Sequence, residues 1–355
     1  MSYPIPTRRQ DVDIAIICAL PLEHNAIALL FDEFCDDDRN NFGKAAGDPN
    51  YYLTGRIGQH YVVLTVMSNI GKSHAASAAA SLRSSYSNIR LALLVGVCGV
   101  APQTCDGEDI FLGDVVVSKT VVQYDLGRRY PHKFIPRDTI DEILGRPNKA
   151  IRNLLVALET DTGRTQLRQK SASFLAQLQQ KSGMKKKYGY PGLMEDKLFP
   201  ANYIHKHYGS PTCSCKGDAG TESTCSEALT APCYLTGCDE HYLLRRPLPE
   251  NGSEGKKEPD IYFGCIASGD TVIKSAEARE IITQQQNAIA FEMEGAGVWD
   301  ELPCVIIKGA CDYADSHKNK KWQNYAAATA ASVSKALLEC YTKDDHEIYA
   351  FTGQW

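Results

Sequence analysis

The sequence predicts an α/β fold: a single three-layer domain in which a central mixed, mostly parallel twisted sheet is flanked by helices. Apolar runs with strand composition alternate along the chain with segments of helical spacing, a pattern typical of sheets with crossover helices. The strand-like runs are almost continuously apolar, as expected for strands buried on both faces. The chain has 355 residues, 43% of them hydrophobic, which is enough for one large core.

Six runs rich in Val, Ile and Leu are predicted strands. They cover residues 12–18, 61–67, 91–98, 114–118, 260–268 and 303–309. Segments with apolar residues at helical spacing are predicted helices, and they cover residues 22–31, 73–86, 148–158, 165–182, 274–285 and 322–341. The sequence NAIAF, which ends at Phe291, is also strand-like and precedes a small-residue helix start.

The alternation breaks between residues 141 and 259. This stretch contains two of the predicted helices, then the sequence KKKYGYPG, a group of cysteines and the charged turn PENGSEGKKEPD. Because the strand pattern resumes afterwards, we interpret residues 141–259 as an insertion or elaborated loop region within one domain that spans residues 1–355. No internal repeat is visible in the sequence.

Composition and charge argue against several classes of partner. The net charge is −5, the isoelectric point is near 6.0 and no basic stripe is present, so a nucleic-acid surface is not expected. The N-terminal sequence lacks the long apolar core of a signal peptide, and no run of 18 apolar residues occurs. We therefore expect a cytoplasmic protein that binds neither nucleic acid nor membrane.

Most of the thirteen cysteines fall into two groups. Those in apolar or small-residue runs are predicted to be buried small hydrophobic residues: Cys18, Cys98, Cys265, Cys304 and Cys311. The others crowd into one short segment of the insertion, with three histidines nearby: Cys213, Cys215, Cys225, Cys233 and Cys238, with His205, His207 and His241.

The crowded cysteines have three interpretations. A disulfide framework is disfavoured without a secretion signal. A zinc site would prefer paired cysteines two to four residues apart, and the CSC spacing at Cys213 and Cys215 is poor for that. Free thiols are the favoured interpretation, so the sequence predicts neither a metal ion nor a cofactor.

Three predicted strand ends present carboxylates, and ligands of α/β sheets bind at the carboxyl ends of strands. Glu23 follows the first strand in CALPLEHNA, Glu294 follows the NAIAF run, and Asp312 ends the last strand. Singly, each acid has a structural explanation, since acids stabilise the first turn of a helix and aspartate caps loops and helices. Their combination with the glycines of GVCGVAP favours a ligand site, because glycine lets a ligand approach backbone amides.

Seven ordered motifs carry a family resemblance. They are DIAIICALPLE, SNIGKSHAA, LLVGVCGVAP, LGDVVVS, IASGDTVI, AFEMEGAGV and IIKGACDYAD. The chain resembles the purine nucleoside phosphorylase/nucleosidase superfamily, and within it the nucleosidases that act on methylthioadenosine and S-adenosylhomocysteine. The long elaboration before FGCIASGD and the sequence VVQYDLG are similar to fungal members. The resemblance implies a nucleoside phosphorylase-like fold and a homodimer or larger homo-oligomer.

The resemblance also implies roles for the strand-end acids. It places Glu294 against the ribose hydroxyls, with Met293 packed under the sugar. It makes Asp312 the group that protonates or hydrogen-bonds the purine N7, because a protonated purine is the better leaving group. Further substrate contacts are expected from the neighbouring positions of the matching motifs, which are Glu292, Val97, Cys98, Gly99, Val272 and Ile273.

Glu23 decides between water and phosphate as the attacking group. In the nucleosidases that the chain resembles, a glutamate at this position activates water, and its charge also stabilises an oxocarbenium ion. A phosphorylase needs cationic groups around phosphate. The first loop has neither the Gly nor the Arg of the hexameric bacterial phosphorylases, but Arg56, Arg90 and Lys72 are alternative phosphate partners.

We therefore expect a purine nucleosidase that releases free base and ribose from a nucleoside such as adenosine or inosine. Val272 stands where the bacterial nucleosidases carry a base-stacking Phe, so Tyr124 or the insertion is expected to supply the aromatic partner. Thioether-substituted and 5′-phosphorylated nucleosides are alternative substrates. The alternative functions are a phosphate-dependent phosphorylase and a non-catalytic sensing domain of the fungal immune-receptor type.

Overall fold

The structure of the protein is a computed structural model that describes residues 6, 8–35, 42–137, 144–181, 183–208, 213, 215, 224–247 and 258–342. In these ranges the strands are β1 (Ile14–Cys18), β2 (Glu33–Phe34), β3 (Tyr52–Ile57), β4 (His60–Val66), β5 (Leu91–Val100), β6 (Val115–Gln123), β7 (Gly127–Arg129), β8 (Phe134–Pro136), β9 (Ile261–Ser268), β10 (Ala288–Glu292) and β11 (Cys304–Asp312). The α-helices are α1 (Pro21–Ala28), α2 (Lys72–Ser85), α3 (Lys149–Glu159), α4 (Asp161–Gln180), α5 (Met184–Lys187), α6 (Cys233–Thr236), α7 (Ala276–Gln286), α8 (Gly295–Trp299) and α9 (Gln323–Cys340).

The main sheet is mixed and has the strand order β10-β9-β6-β11-β5-β1-β4-β3-β2. Strand β10 also pairs with β5, so β5, β11, β6, β9 and β10 form a closed ring from which β1, β4, β3 and β2 extend. Five pairings are parallel and four are antiparallel. The α/β class and the mixed sheet are confirmed. The closure of the sheet differs from the prediction, because apolar periodicity identifies strands but not their partners.

Each of the six predicted strands is present, and so is each of the six predicted helices. Strand β6 continues to Gln123, five residues beyond its predicted end, because its outer half is only partly buried and reads as polar. Strand β3 is absent from the predicted set. Its sequence YLTGRI is interrupted by Gly55 and Arg56, and much of it is only half-buried, so its apolar run is too short to recognise.

Helix α9 packs against the sheet through small side chains and is buried along most of its length. Its close approach to β11 requires Gly309, where an added Cβ would lie 2.0 Å from the carbonyl oxygen of Ala326. Helices α4 and α1 also pack against α9. This packing fixes β11, and with it the aspartate at its end.

In the part of the chain that the structure describes, no helix is both long enough and apolar enough to cross a membrane. The cysteines predicted to be buried include four that are buried: Cys18, Cys98, Cys304 and Cys311. Cys265 is partly exposed.

Candidate active site

A cavity of about 230 Å³ lies at the carboxyl ends of the parallel strands β1, β5 and β11, where the residues after β10 also converge. All ten residues predicted to contact substrate line this cavity: Glu23, Val97, Cys98, Gly99, Val272, Ile273, Glu292, Met293, Glu294 and Asp312. Other lining residues include Ile70, Thr271, Phe291, Ala314, Lys318 and Gln323. Motifs far apart in sequence therefore meet around one space.

Glu23 is buried in the first turn of α1 beneath this cavity. Its Oε2 accepts hydrogen bonds from the backbone N–H groups of Ala19 and Leu20, both at 2.9 Å, and its Oε1 accepts one from Val97 at 2.8 Å. Burial raises the pKa of Glu23, although Lys308 and the backbone donors oppose this effect. A carboxylate has lone pairs beyond those used here, so Glu23 can still accept a proton from a ligand.

Glu23 also explains Gly96 in strand β5. A Cβ at this position would lie 2.3 Å from Glu23 Oε1. The strand therefore needs glycine where the carboxylate packs against its backbone. From the sequence, the glycines of GVCGVAP were expected to let a ligand come close to the backbone. At Gly96 the group that comes close is the Glu23 side chain.

Lys308 lies under the cavity and is fully buried. Its Nζ is 3.1 Å from Glu294 Oε2 and 3.4 Å from Glu292 Oε2. Burial alone would lower the pKa of Lys308, but the combined attraction of Glu294, Glu292 and Glu23 raises it. The lysine is therefore a permanent cation that compensates the acidic floor of the cavity.

The two glutamates of FEMEG have different environments. Glu292 accepts hydrogen bonds from the backbone N–H of Gly295 at 2.9 Å and of Glu294 at 3.1 Å, so it serves mainly to hold the start of α8. Burial raises the pKa of Glu292 and Lys308 opposes the rise. Glu294 has fewer backbone donors, with one long contact of 3.4 Å from Gly71, and its carboxylate is the better placed of the two for a ligand.

Asp312, at the end of β11, forms an ion pair that the sequence did not suggest. Its Oδ1 is 2.8 Å from Lys318 Nζ and accepts a hydrogen bond from the backbone N–H of Ala314 at 2.9 Å. Its Oδ2 faces the Cys311 thiol at 3.4 Å. Burial would lower the pKa of Lys318, but Asp312 raises it, so the lysine is charged. Lys318 lies outside the matching motif, in the loop after β11.

The tight turn after β11 fixes the direction of the Asp312 carboxylate. Ala314 has a φ of 51°, a left-handed conformation that is unfavourable for alanine. Across from it, a Cβ at Gly99 would lie 2.8 Å from Asp312 Oδ1 and 3.0 Å from Ala314 Cβ. Gly99 therefore leaves the space that this turn occupies.

The aromatic side chain in the cavity lining is Phe291, which the sequence interpretation did not select. Tyr124, one of the expected stacking partners, does not line the cavity; its hydroxyl donates to the Thr271 carbonyl and its ring lies under Gly269. Val272 lines the cavity and is about half exposed, at 48%. Phe291 is the first residue of FEMEG and directly precedes its acids, so its position in the sequence could have indicated that it lines the cavity.

The three cationic side chains considered as phosphate partners do not line the cavity. Lys72 Nζ is 2.5 Å from Asp125 Oδ1 and 3.7 Å from Asp270 Oδ2. Arg56 forms ion pairs elsewhere, at 3.7–3.8 Å from acids near β2, and Arg90 also lies away from the cavity. The lysine that does line the cavity is the one paired with the aspartate of β11.

A larger cavity, of about 770 Å³, lies between α4 and the segment around Tyr190. Its lining is mostly Ala, Gln, Gly and Lys, and Glu258 is its carboxylate. Its described lining lacks the converging acids of the smaller cavity.

Residues 13–175 match the family model described as the phosphorylase superfamily. Over this range, just under half of its length, the chain is similar to the phosphorylase superfamily. The matched range runs from β1 through α3 into α4, while the remaining acids of the cavity lie further along the chain. The chain is also similar to a methylthioadenosine/S-adenosylhomocysteine nucleosidase, to a futalosine hydrolase and to an NLR-like protein, as the following comparisons show.

The chain is 30% identical over 335 residues to a nucleotide-binding leucine-rich repeat (NLR)-like protein of Hyaloscypha variabilis, a match that covers 93% of this chain and 29% of that relative. It is 27% identical over 97 residues to a 5′-methylthioadenosine/S-adenosylhomocysteine nucleosidase of Mycobacterium bovis, covering 26% of this chain and 38% of the relative. The matches thus span less than half the length of these curated relatives.

The fold is also that of the solved native structure of futalosine hydrolase of Helicobacter pylori. The TM-score is 0.51, the sequence identity is 18%, and the alignment covers 93% of this chain and 98% of the other. At this identity the likeness establishes the fold.

Proposed function

We propose that the chain is a purine nucleosidase, which hydrolyses the N-glycosidic bond of a nucleoside of the adenosine or inosine type to free base and ribose. One observation carries the proposal. Glu23, Glu294 and Asp312 come from three separate strand ends, and all three converge on one cavity. Two carboxyl groups are the usual requirement of glycoside hydrolysis, and a third suits the recognition of sugar hydroxyls.

The proposed ribose contact is Glu294. An ionised carboxylate accepts hydrogen bonds from two vicinal hydroxyls, and its charge strengthens both. Lys308, 3.1 Å away, supports the ionised form from beneath the cavity. Met293 lies beside it in the lining and offers a soft apolar surface to the sugar ring.

The proposed contact to the base is Asp312 Oδ2. Lys318 and the Ala314 N–H both bind Oδ1, whereas Oδ2 accepts a weak hydrogen bond from the Cys311 thiol and keeps a further site for the purine N7. In the reaction Asp312, once it carries a proton on Oδ2, donates that proton to N7 while the bond between C1′ and N9 breaks, so the base leaves neutral. Lys318 then stabilises the carboxylate that remains. Phe291 supplies an apolar aromatic surface in the same lining.

The proposed general base is Glu23. It takes a proton from a water molecule as the water oxygen bonds to C1′, which gives ribose. Its raised pKa brings the carboxylate closer to the proton affinity that a base needs near neutral pH. Its negative charge also favours the oxocarbenium-like transition state.

Hydrolysis is favoured over phosphorolysis by the charges around the cavity. Phosphate needs uncompensated cationic or N–H donors. The described lining contains Lys318, which Asp312 neutralises, and the deeper Lys308 is neutralised by two glutamates. The N–H groups of Ala19, Leu20 and Val97 are taken by Glu23.

The test is incubation of purified protein with adenosine or inosine, with and without phosphate, followed by chromatography of the products. Free base and ribose formed at the same rate in both buffers supports the proposal. A requirement for phosphate, with ribose 1-phosphate as product, would show a phosphorylase instead.

A second candidate is a nucleoside-sensing domain of a larger protein. The NLR-like relative favours this candidate, because the match covers 93% of this chain but only 29% of the relative. Under this alternative the protein binds a purine nucleoside, measured by calorimetry, yet releases no base over many hours. Turnover in the assay above decides against it.

A further inference from the structure

Two groups of cysteine and histidine side chains come together in, or against, the region that the sequence marked as an insertion. The first cluster consists of His207, Cys213, Cys215 and Cys225, whose ligand atoms all lie within 4.8 Å of one another. The second cluster is built around His205, Cys238 and His317, which meet the same condition. Members of the two clusters alternate along the chain, so His205 and His207 belong to different clusters although they are close in sequence.

The first cluster has the dimensions of a tetrahedral zinc site. Zinc bonds of about 2.3 Å to sulfur and 2.0–2.1 Å to nitrogen give sulfur–sulfur edges of roughly 3.8 Å and sulfur–nitrogen edges of roughly 3.5 Å. The Sγ atoms of Cys213 and Cys225 are 3.6 Å apart. His207 Nδ1 is 3.2 Å from Cys213 Sγ and 3.5 Å from Cys225 Sγ. Three cysteines and one histidine form a common structural zinc set.

The second cluster shows similar edges. Cys238 Sγ is 3.2 Å from His205 Nδ1, and Cys233 Sγ is 3.6 Å from the same nitrogen. Cys233 lies next to His205 of this cluster, so a small movement of its side chain would complete a set of two cysteines and two histidines.

The histidines of the second cluster are oriented as metal ligands are. His205 Nε2 is 2.8 Å from the carbonyl oxygen of Ala231, so it carries the proton and leaves Nδ1 as a lone-pair donor. His317 is buried, with an exposed fraction of only 7%, and its Nε2 has no hydrogen-bond partner among the described residues. A buried imidazole nitrogen without a partner is unfavourable unless something binds it.

Metal ions bind the thiolate form of cysteine, and backbone N–H donors stabilise a thiolate. Cys215 Sγ accepts such a hydrogen bond from the backbone N–H of Cys225 at 3.1 Å.

We propose that the chain binds two structural zinc ions: one through His207, Cys213, Cys215 and Cys225, the other through His205, Cys233, Cys238 and His317. The sequence interpretation favoured free thiols because the CSC spacing is poor, yet the fold brings Cys225 and His207 to that pair from further away. His241, also considered at that point, is exposed and contacts Asp239 instead.

The second site links the insertion to the candidate active site. His317 belongs to the loop after β11, next to Lys318, whereas the other three ligands belong to the insertion. Phe199 stacks on the His317 ring with centroids 4.2 Å apart, and the His205 backbone N–H donates to Ser316. A zinc ion here would tie the two segments together.

The test is the metal content of the full chain, purified without chelators and measured by elemental mass spectrometry. We expect two zinc ions per chain. Cys213→Ser and Cys225→Ser should each retain one, as should Cys233→Ser and Cys238→Ser. Cys105→Ser, which changes an exposed cysteine outside both clusters, should retain two.

A variant that misfolds would lose zinc for a trivial reason, so the wild-type chain gives an independent readout. Cobalt added to metal-free protein should produce the charge-transfer and visible bands of tetrahedral thiolate coordination. Thiol titration of the native protein should show five cysteines becoming reactive only after chelation. Zinc-free protein without cobalt bands, or an intact mass showing disulfides among these cysteines, would overturn the proposal.

Discussion

At the scale of single residues, the proposed mechanism makes departure of the base depend on Asp312. We expect Asp312→Asn to lower kcat about 10²–10⁴-fold, the usual contribution of general acid catalysis, with a much smaller change in KM. An amide can hold N7 by a hydrogen bond but cannot give it a proton. Steady-state kinetics with adenosine and inosine measure both constants.

The matched control for this variant is Asp300→Asn, an exposed aspartate at the end of α8. It should leave kcat unchanged. A loss below about tenfold in Asp312→Asn would remove Asp312 from the acid role.

In the proposed mechanism Glu23 activates the attacking water, and its environment leads to a pH-dependent prediction. A base acts when it is deprotonated, and burial raises the pKa of Glu23. The wild-type kcat/KM should therefore fall as the pH falls through a value above the ordinary glutamate pKa of about 4.3. Glu23→Gln should lower kcat about 10²-fold or more and remove this acidic limb.

The control variant changes a glutamate that also lies in the first turn of a helix but does not line the cavity. Glu277→Gln, in the first turn of α7, changes an exposed acid in the same type of location. If Glu23 only stabilised the start of α1, the two variants would behave alike, with full turnover and a stability loss of at most about 1 kcal/mol. Parent-like turnover in Glu23→Gln would contradict the nucleosidase mechanism.

At the scale of elements, strand β5 must approach the Glu23 carboxylate with no side chain between them. Gly96→Ala would place a methyl group 2.3 Å from Glu23 Oε1, and three backbone hydrogen bonds prevent the carboxylate from moving freely. We expect a loss of stability of about 1–3 kcal/mol, as for other overpacked interiors, together with a lower kcat/KM. Chemical denaturation and kinetics measure the two effects.

Two further variants make this prediction specific. Gly145→Ala adds a methyl group with no atom within 4 Å and should be neutral in both measurements. Glu23→Ala removes the group with which the methyl collides, so the double variant should be more stable than the sum of the two single losses implies. Additive losses would show that the clash lies elsewhere.

The elements also show what the sequence reveals and what it does not. Apolar runs located β1, β4, β5, β9 and β11, because burial on both faces leaves a continuous signal. Strand β3 gave no such signal, since Gly55 and Arg56 interrupt it. The pairing of β10 with β5 depends on contacts distant in sequence, which periodicity cannot encode.

The candidate site divides in the same way. Acids at strand ends are visible in sequence, so Glu23, Glu294 and Asp312 could be selected before their meeting point was known. Lys318 was missed because it comes six residues after Asp312, in a loop whose turn at Ala314 brings it back to the carboxylate. The sequence did not favour a zinc site for a related reason. The spacing of the CSC cysteines does not show which histidines the fold brings next to them.

At the scale of the whole molecule, the proposed second zinc site predicts that the insertion holds the loop after β11 in position. His317 is five residues after Asp312 and is held by ligands from the insertion, whereas the first zinc site has all its ligands within the insertion. Loss of zinc from the second site should therefore loosen Lys318 and Asp312 and lower kcat. Loss of zinc from the first site should lower the melting temperature with a much smaller effect on kcat.

The comparison uses Cys238→Ser for the second site and Cys213→Ser for the first, because neither side chain lines the active-site cavity. Zinc content is measured on the same samples as the kinetics, so that each variant is known to lack one ion. We expect kcat to fall about tenfold or more in Cys238→Ser, since small misplacements of catalytic groups have effects of this size and larger. Equal kcat values in the two variants, each with one zinc ion, would show that the insertion stabilises the protein without positioning Asp312.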